Sequence, residues 1–218
     1  MKDSRFNWSS FPGARHEHLA AFVSSLPEKP ILIGHSFGGA LVQLLLDRGL
    51  GAAGVAIDSA PVKGVLTLPW SQVKALFPVL KSPGNKTKAV PLTPSEFHYA
   101  FTNTLSREES DVIHEKFAVA GPGRIVFAGA TVNFESKPDA RVDYAKADRA
   151  PLLFIAGEKD HIMPPKVNLA NARKYKSGVV AFKEFAGRDH FTCGEAGWED
   201  VATFALEWAE KPSAFGVQ

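Results

Sequence analysis

With Cys193 as its only cysteine, the chain can form no internal disulfide and no all-cysteine zinc site, which fits a reducing, cytoplasmic compartment. An excess of one charge is also missing. The 25 basic residues outnumber the 23 acidic ones by two, too few to build a field that attracts nucleic acid. Lys81, Lys86 and Lys88, the densest basic stretch, lie among Ser82, Pro83, Gly84 and Asn85 and read as a solvated loop. Long apolar runs are absent too: Ala40 to Leu46 is broken by Gln43, and Met1 to Ser10 has no apolar leader core. An unexported, soluble chain with neither membrane nor nucleic acid as partner is therefore expected. There is no Walker phosphate loop, and Gly121-Pro122-Gly123 lacks the third glycine and preceding strand of a dinucleotide site. No cofactor and no metal are expected.

What remains is the composition of an ordinary globule, 45% apolar and 22% charged over 218 residues, enough for one core carrying an insertion. Arg15 to Leu26 places Leu19, Phe22, Val23 and Leu26 at helical spacing, and Pro27 stops it. Pro30 to Gly34 is a short apolar run between breakers, the pattern of a strand buried on both faces. Phe37 to Asp47 is an apolar helix with Gly49 at its C-terminal cap, followed by a strand over 54–58. Strands at 152–156 and 179–185, with a helix over 165–176 between them, resume the alternation of a parallel α/β fold. A last helix carries Trp198, Val201, Ala205 and Trp208 on one face.

From Pro61 to Arg149 the alternation stops. Thr93-Pro94-Ser95-Glu96 combines a capping box with proline at the first helical position, and Phe97, Ala100, Phe101 and Leu105 follow on one face. Ser106 to Glu109 repeats the capping signal. Residues 1–60 and 150–218 thus read as one core, and 61–149 as a helical cap inserted into it.

The chemistry lies in Gly34-His35-Ser36-Phe37-Gly38, a Gly-x-Ser-x-Gly pattern set between a buried strand and an apolar helix. That context throws the serine onto a sharp turn above the sheet, and the flanking glycines suggest that no Cβ fits at Gly34 or Gly38. The N–H of Phe37 opens the helix and is the first oxyanion donor. A serine hydroxyl needs a base, and the base an orienting carboxylate, in the chain order Ser, acid, His. Asp160 follows the strand at 152–156, and His190 follows the next strand in Gly187-Arg188-Asp189-His190-Phe191. Among competitors, Asp58 reads as a buried strand-end or turn residue, Asp189 as a turn helper and Glu158 as a solvated loop charge. Cys193 reads as a small buried hydrophobe. His35 and His161 flank the site.

These three motifs resemble the α/β-hydrolase family, and especially its small capped bacterial esterase-like and cofactor-free haloperoxidase-like members. The resemblance implies a three-layer α/β-hydrolase fold with a shortened, mostly parallel sheet and an inserted helical cap. It assigns Ser36 as nucleophile, His190 as base and Asp160 as its partner. With His35, Phe97, Phe101 and His161 lining the acyl pocket, the expected reaction is cleavage of small to medium carboxylic esters through an acyl-enzyme. A lyase or perhydrolase on the same fold, or an impaired scaffold protein, is the alternative.

One departure stands out. Family members place about four strands before the nucleophile strand and this chain offers about thirty residues there, with no His-Gly loop for a second oxyanion donor. Ile31 to Ile33 is then expected at an open sheet edge, paired with a second copy of the chain or covered by Met1 to Gly13.

Overall fold

The computed structural model describes residues 13–135 and 140–213. Helix α1 (Gly13–Ser24) leads to strand β1 (Ile31–His35), helix α2 (Phe37–Asp47) and strand β2 (Ala53–Ile57). Next come α3 (Trp70–Leu80), a 3₁₀ turn (Pro83–Thr87), β3 (Ala89–Val90), α4 (Pro94–Phe101), α5 (Arg107–Phe117), β4 (Gly121–Pro122) and α6 (Gly123–Thr131). Then β5 (Leu152–Gly157), α7 (Pro165–Ala172), β6 (Val180–Phe185) and α8 (Trp198–Glu210) complete the chain.

The main sheet has the order β1-β2-β5-β6 and every pairing in it is parallel. Side chains alternate across it, as a strand's two-residue period requires. Leu152, Phe154 and Ala156 pack with Leu44, Leu46 and Ala172 in one cluster, while Val55, Leu153 and Ile155 pack with Val201, Ala205 and Trp208 of α8 in another. Helices therefore cover both faces, and the fold is a three-layer α/β sandwich.

β1 departs from the expectation of a strand buried on both faces. Among the described residues it pairs with β2 alone, and α8 covers β2 and β5 but not β1. Leu32 packs beneath α1 and α2, whereas Ile31 and Ile33, pointing the other way, are 38% and 48% exposed. Among the described residues the strand is an edge of the sheet. Of Met1 to Gly13, named above as a cover for this edge, residues 1–12 lie outside the described residues.

Between β2 and β5 the helices α3 to α6 stand beside the carboxyl ends of the sheet strands. Both anticipated capping boxes form: Thr93 Oγ1 accepts from the N–H of Glu96, and Ser106 Oγ from the N–H of Glu109. The short antiparallel ladder of β3 and β4 was not legible, because two residues carry no periodicity.

Candidate active site

Ser36 adopts φ 55°, ψ −120°, a conformation that L-residues rarely tolerate, between the last residue of β1 and the first of α2. Three backbone bonds impose it. The N–H of Ser36 donates to Ile57 O (2.9 Å), while its carbonyl accepts from Gly39 (3.0 Å) and Ala60 (2.9 Å). A Cβ on Gly34 would overlap the carbonyl oxygen of Gly38, and one on Gly39 would stand 2.6 Å from Ser59 Oγ. Gly38 differs from expectation, since space is open around it and the crowding falls on Gly39 instead. The N–H groups of Phe37 and Gly38 open α2, where a helix has no internal acceptors for them.

His190 lies beyond β6, with its Nε2 3.1 Å from Ser36 Oγ and its Nδ1 2.7 Å from Asp160 Oδ2. Because a carboxylate only accepts, Nδ1 carries the proton, and Nε2 is left to receive the serine hydroxyl. Asp160 is buried, and its other oxygen accepts from the N–H groups of Ile162 (2.6 Å) and Met163 (2.9 Å). The turn after β5 thus fixes the carboxylate, which fixes the imidazole. The structure brings together Ser36, Asp160 and His190 over the carboxyl ends of β1, β5 and β6.

The histidine loop is tied to the helices beside it. Asp189 Oδ2 accepts from the N–H (3.0 Å) and hydroxyl (2.7 Å) of Thr104, and its Oδ1 accepts from Phe191 N–H (2.9 Å). It serves the turn, as expected, and also joins that turn to the α4–α5 connection. The same connection reaches the acid loop, for Asn103 Nδ2 donates to Lys159 O at 3.0 Å. Phe101 presents its ring edge-on to His190, with centroids 5.3 Å apart. Glu158, read as a solvated charge, accepts from Gly187 N–H (2.8 Å) and pairs with Lys159, so it also shapes this turn.

His35 also packs on His190, ring centroids 4.6 Å apart, and its Nε2–H donates to the His190 carbonyl oxygen at 2.9 Å. Burial, followed by the neighbouring His190, pushes its pKa down to about 3, so the ring stays neutral. His161 Nδ1–H donates to Tyr99 O at 2.7 Å while the rings stack. Neither histidine belongs to the cavity wall described below, which corrects their expected place in the acyl pocket; each is held by a backbone carbonyl and serves the scaffold.

Asp58 directly follows β2, fully buried, with φ 43°, and its Oδ1 accepts from Gly157 N–H at 2.7 Å. Burial first, then the charge of Asp160, holds its carboxyl well above the usual carboxylate range. Donor atoms of His35, Asp58 and His190 lie within 4.8 Å of one another. The ring nitrogens of His190 are nevertheless engaged by Asp160 and Ser36, and His35 Nε2 by a carbonyl, so the cluster is a hydrogen-bonded one that fits no metal. Cys193 is exposed, where a buried residue was expected. Its thiol is pushed up to about 11, by burial of the sulfur and then by Asp58, so it supplies no thiolate near neutral pH.

A cavity of about 710 Å³ opens above Ser36, within the range of small-molecule sites. Phe37, Phe97, Phe101, Met163 and residues of α3 and α6 wall it. Its few polar groups besides Ser36 and His190 are largely satisfied internally: Gln72 donates to Met163 Sδ, Asn133 bonds Gly64 and Val65, and His114 Nε2 bonds Leu92 O. Away from Ser36 and His190 a ligand here meets a mostly apolar wall.

Beneath the site lies a polar network that the sequence reading missed. Gln43, on the apolar face of α2, donates to Ser59 Oγ (3.0 Å) and accepts from Tyr175 (2.9 Å), while Asn168 bridges Ser59 N–H and Met163 O. The only signal was Gln43 itself, a polar residue interrupting an apolar run.

A strained serine on a strand-to-helix turn, with acid and histidine after successive later strands, defines an α/β-hydrolase arrangement. The profile of the alpha/beta hydrolase family matches residues 3–204, and the chain belongs to that family. Its structure is similar to a monoacylglycerol lipase from Paleococcus ferrophilus, at 22% identity and TM-score 0.56, covering 89% of this chain and 73% of that one. It is also similar to a thermophilic esterase from Thermogutta terrifontis (22%, TM-score 0.58, covering 91% and 72%). A meta-cleavage product hydrolase from Pseudomonas fluorescens IP01 gives 14% and 0.57, covering 96% and 74%. No curated protein sequence matches the chain. Among the described residues no helix is long and apolar enough to cross a membrane.

Proposed function

We propose that this hydrolase cleaves uncharged carboxylic esters through an acyl-enzyme on Ser36. The observation that carries the reading is the continuous hydrogen-bonded chain from Asp160 through His190 to Ser36, opening at the floor of an apolar cavity. Ser36 Oγ attacks the ester carbonyl as His190 Nε2 takes its proton, and Asp160 stabilises the imidazolium that results. The carbonyl oxygen becomes an oxyanion facing the N–H of Phe37 at the start of α2. His190 then protonates the departing alcohol. Water, deprotonated by the same nitrogen, releases the acid and restores the serine. Residues 61–149 act as the cap whose apolar wall takes the acyl chain.

The esterase and lipase among the similar structures point to the same reaction class. The test is labelling with a fluorophosphonate, which phosphonylates an activated serine. The adduct is expected on the peptide carrying Ser36, and absence of label would contradict the reading.

A further inference from the structure

Five residues that wall the cavity, Leu66, Leu68, Phe117, Val119 and Phe134, are also between 55 and 88% exposed, so they form its mouth. Nearby on α3, Trp70 and Phe77 are 76% and 59% exposed and stand seven residues apart, on one side of the helix. Single exposed apolar residues are ordinary on soluble proteins, but a set of them around one opening marks a contact surface.

The charge of the same segments identifies the partner. Residues 59–95 and 117–134 contain Lys63, Lys74, Lys81, Lys86, Lys88 and Arg124 and no Asp or Glu. These segments carry +6 in a chain of net +2, leaving −4 for the rest. Lys74, Lys81, Lys86 and Lys88 are exposed. The nearest acids in sequence lie just outside the segments: Asp58, which is fully buried, and Glu96, Glu115 and Glu135. An apolar ring set among cations matches an anionic bilayer, in which side chains enter the acyl boundary while lysines meet the headgroups. A second copy fits poorly, because a two-fold contact sets the patch against itself and opposes like charges.

We propose that the mouth of the cavity, formed by Leu66, Leu68, Phe117, Val119 and Phe134 and flanked by the lysines of 63–88, docks on an anionic lipid surface. An ester dissolved in the bilayer then reaches Ser36 without crossing water. The sequence reading of no membrane partner rested on the absence of a spanning run, which peripheral docking does not need.

The test is flotation of the Ser36→Ala chain with vesicles of phosphatidylglycerol and phosphatidylcholine, against phosphatidylcholine alone. It is independent of the hydrolytic reading, since this variant carries no nucleophile. Binding is expected to be about tenfold stronger to the anionic vesicles and to weaken as salt rises. Lys81→Glu/Lys86→Glu/Lys88→Glu is expected to abolish that preference while leaving turnover of a water-soluble ester unchanged. Val119→Asp/Phe134→Asp, with folding checked by its thermal midpoint, is expected to lose vesicle binding. Failure of the Ser36→Ala chain to bind either vesicle would overturn the proposal. Binding untouched by Val119→Asp/Phe134→Asp, or a dimer in solution that this variant dissolves, would overturn it equally.

Discussion

The side chain of His35 holds the backbone of His190: its Nε2–H donates to the His190 carbonyl oxygen at 2.9 Å, with the two rings 4.6 Å apart. The residue before Ser36 therefore holds His190 in place above the serine. His35 is a positioning residue. His35→Leu removes the donor and is expected to lower kcat about tenfold to a hundredfold with little change in KM, because only proton transfer is misaligned. His35→Asn, which keeps an N–H, is expected to recover part of the loss. Equal effects on kcat and KM, or no rescue by asparagine, would contradict a positioning role.

Thr104 joins the α4–α5 connection to the loop that carries His190. Thr104→Val removes the hydroxyl donor to Asp189 and keeps the N–H, leaving a buried carboxylate oxygen with one bond fewer. A loss of about 1 to 3 kcal/mol in stability is expected, read by denaturant titration. A lower kcat is expected beside it, since Asp189 precedes His190. Unchanged stability would mean that water replaces the hydroxyl.

Asp58 gives the fold a pH dependence. Its folded pKa is raised, by burial and then by Asp160, so its contribution to stability is full below the unfolded value of about 3.8. That contribution is lost as pH climbs through the raised value. Asp58→Asn keeps an oxygen for Gly157 N–H and carries no charge. Its melting temperature is expected to rise relative to the parent between pH 4 and pH 8, and a pH-independent difference would contradict the assignment. His35 acts in the opposite direction: folded near 3 against an ordinary 6.5, it costs stability as pH falls between those values.

On the proposed reaction, the apolar cavity is expected to set a chain-length preference. Along p-nitrophenyl esters from acetate to octanoate, kcat/KM is expected to rise by at most about fourfold per methylene, the equivalent of about 0.8 kcal/mol per buried CH₂. A flat series would mean that the chain lies outside the cavity walled by Phe97 and Phe101.

Much of this was legible in local pattern. The run at Ile31 to Gly34, the glycines around Ser36 and the capping boxes at Thr93 and Ser106 each report a backbone requirement confined to a few neighbours. The loops bearing Asp160 and His190 followed from their positions after strands. What escaped depends on contacts remote in sequence. Whether His35 and His161 face the cavity or the scaffold is decided by carbonyls of His190 and Tyr99, 155 and 62 residues away. The crowding at Gly39 comes from Ser59, and Gln43 needs Tyr175, 132 residues on, to be satisfied. The exposure of Ile31 and Ile33 follows from which strands α8 covers.

The central claim is that Ser36 is the nucleophile. Steady-state hydrolysis of p-nitrophenyl butyrate by the purified chain, beside its Ser36→Ala variant and with the blank rate subtracted, addresses it most directly. Turnover in the parent and a loss of about 10³-fold or more in the variant is the predicted result. Equal rates in the two would contradict it, leaving Asp160, His190 and Ser36 assembled but idle.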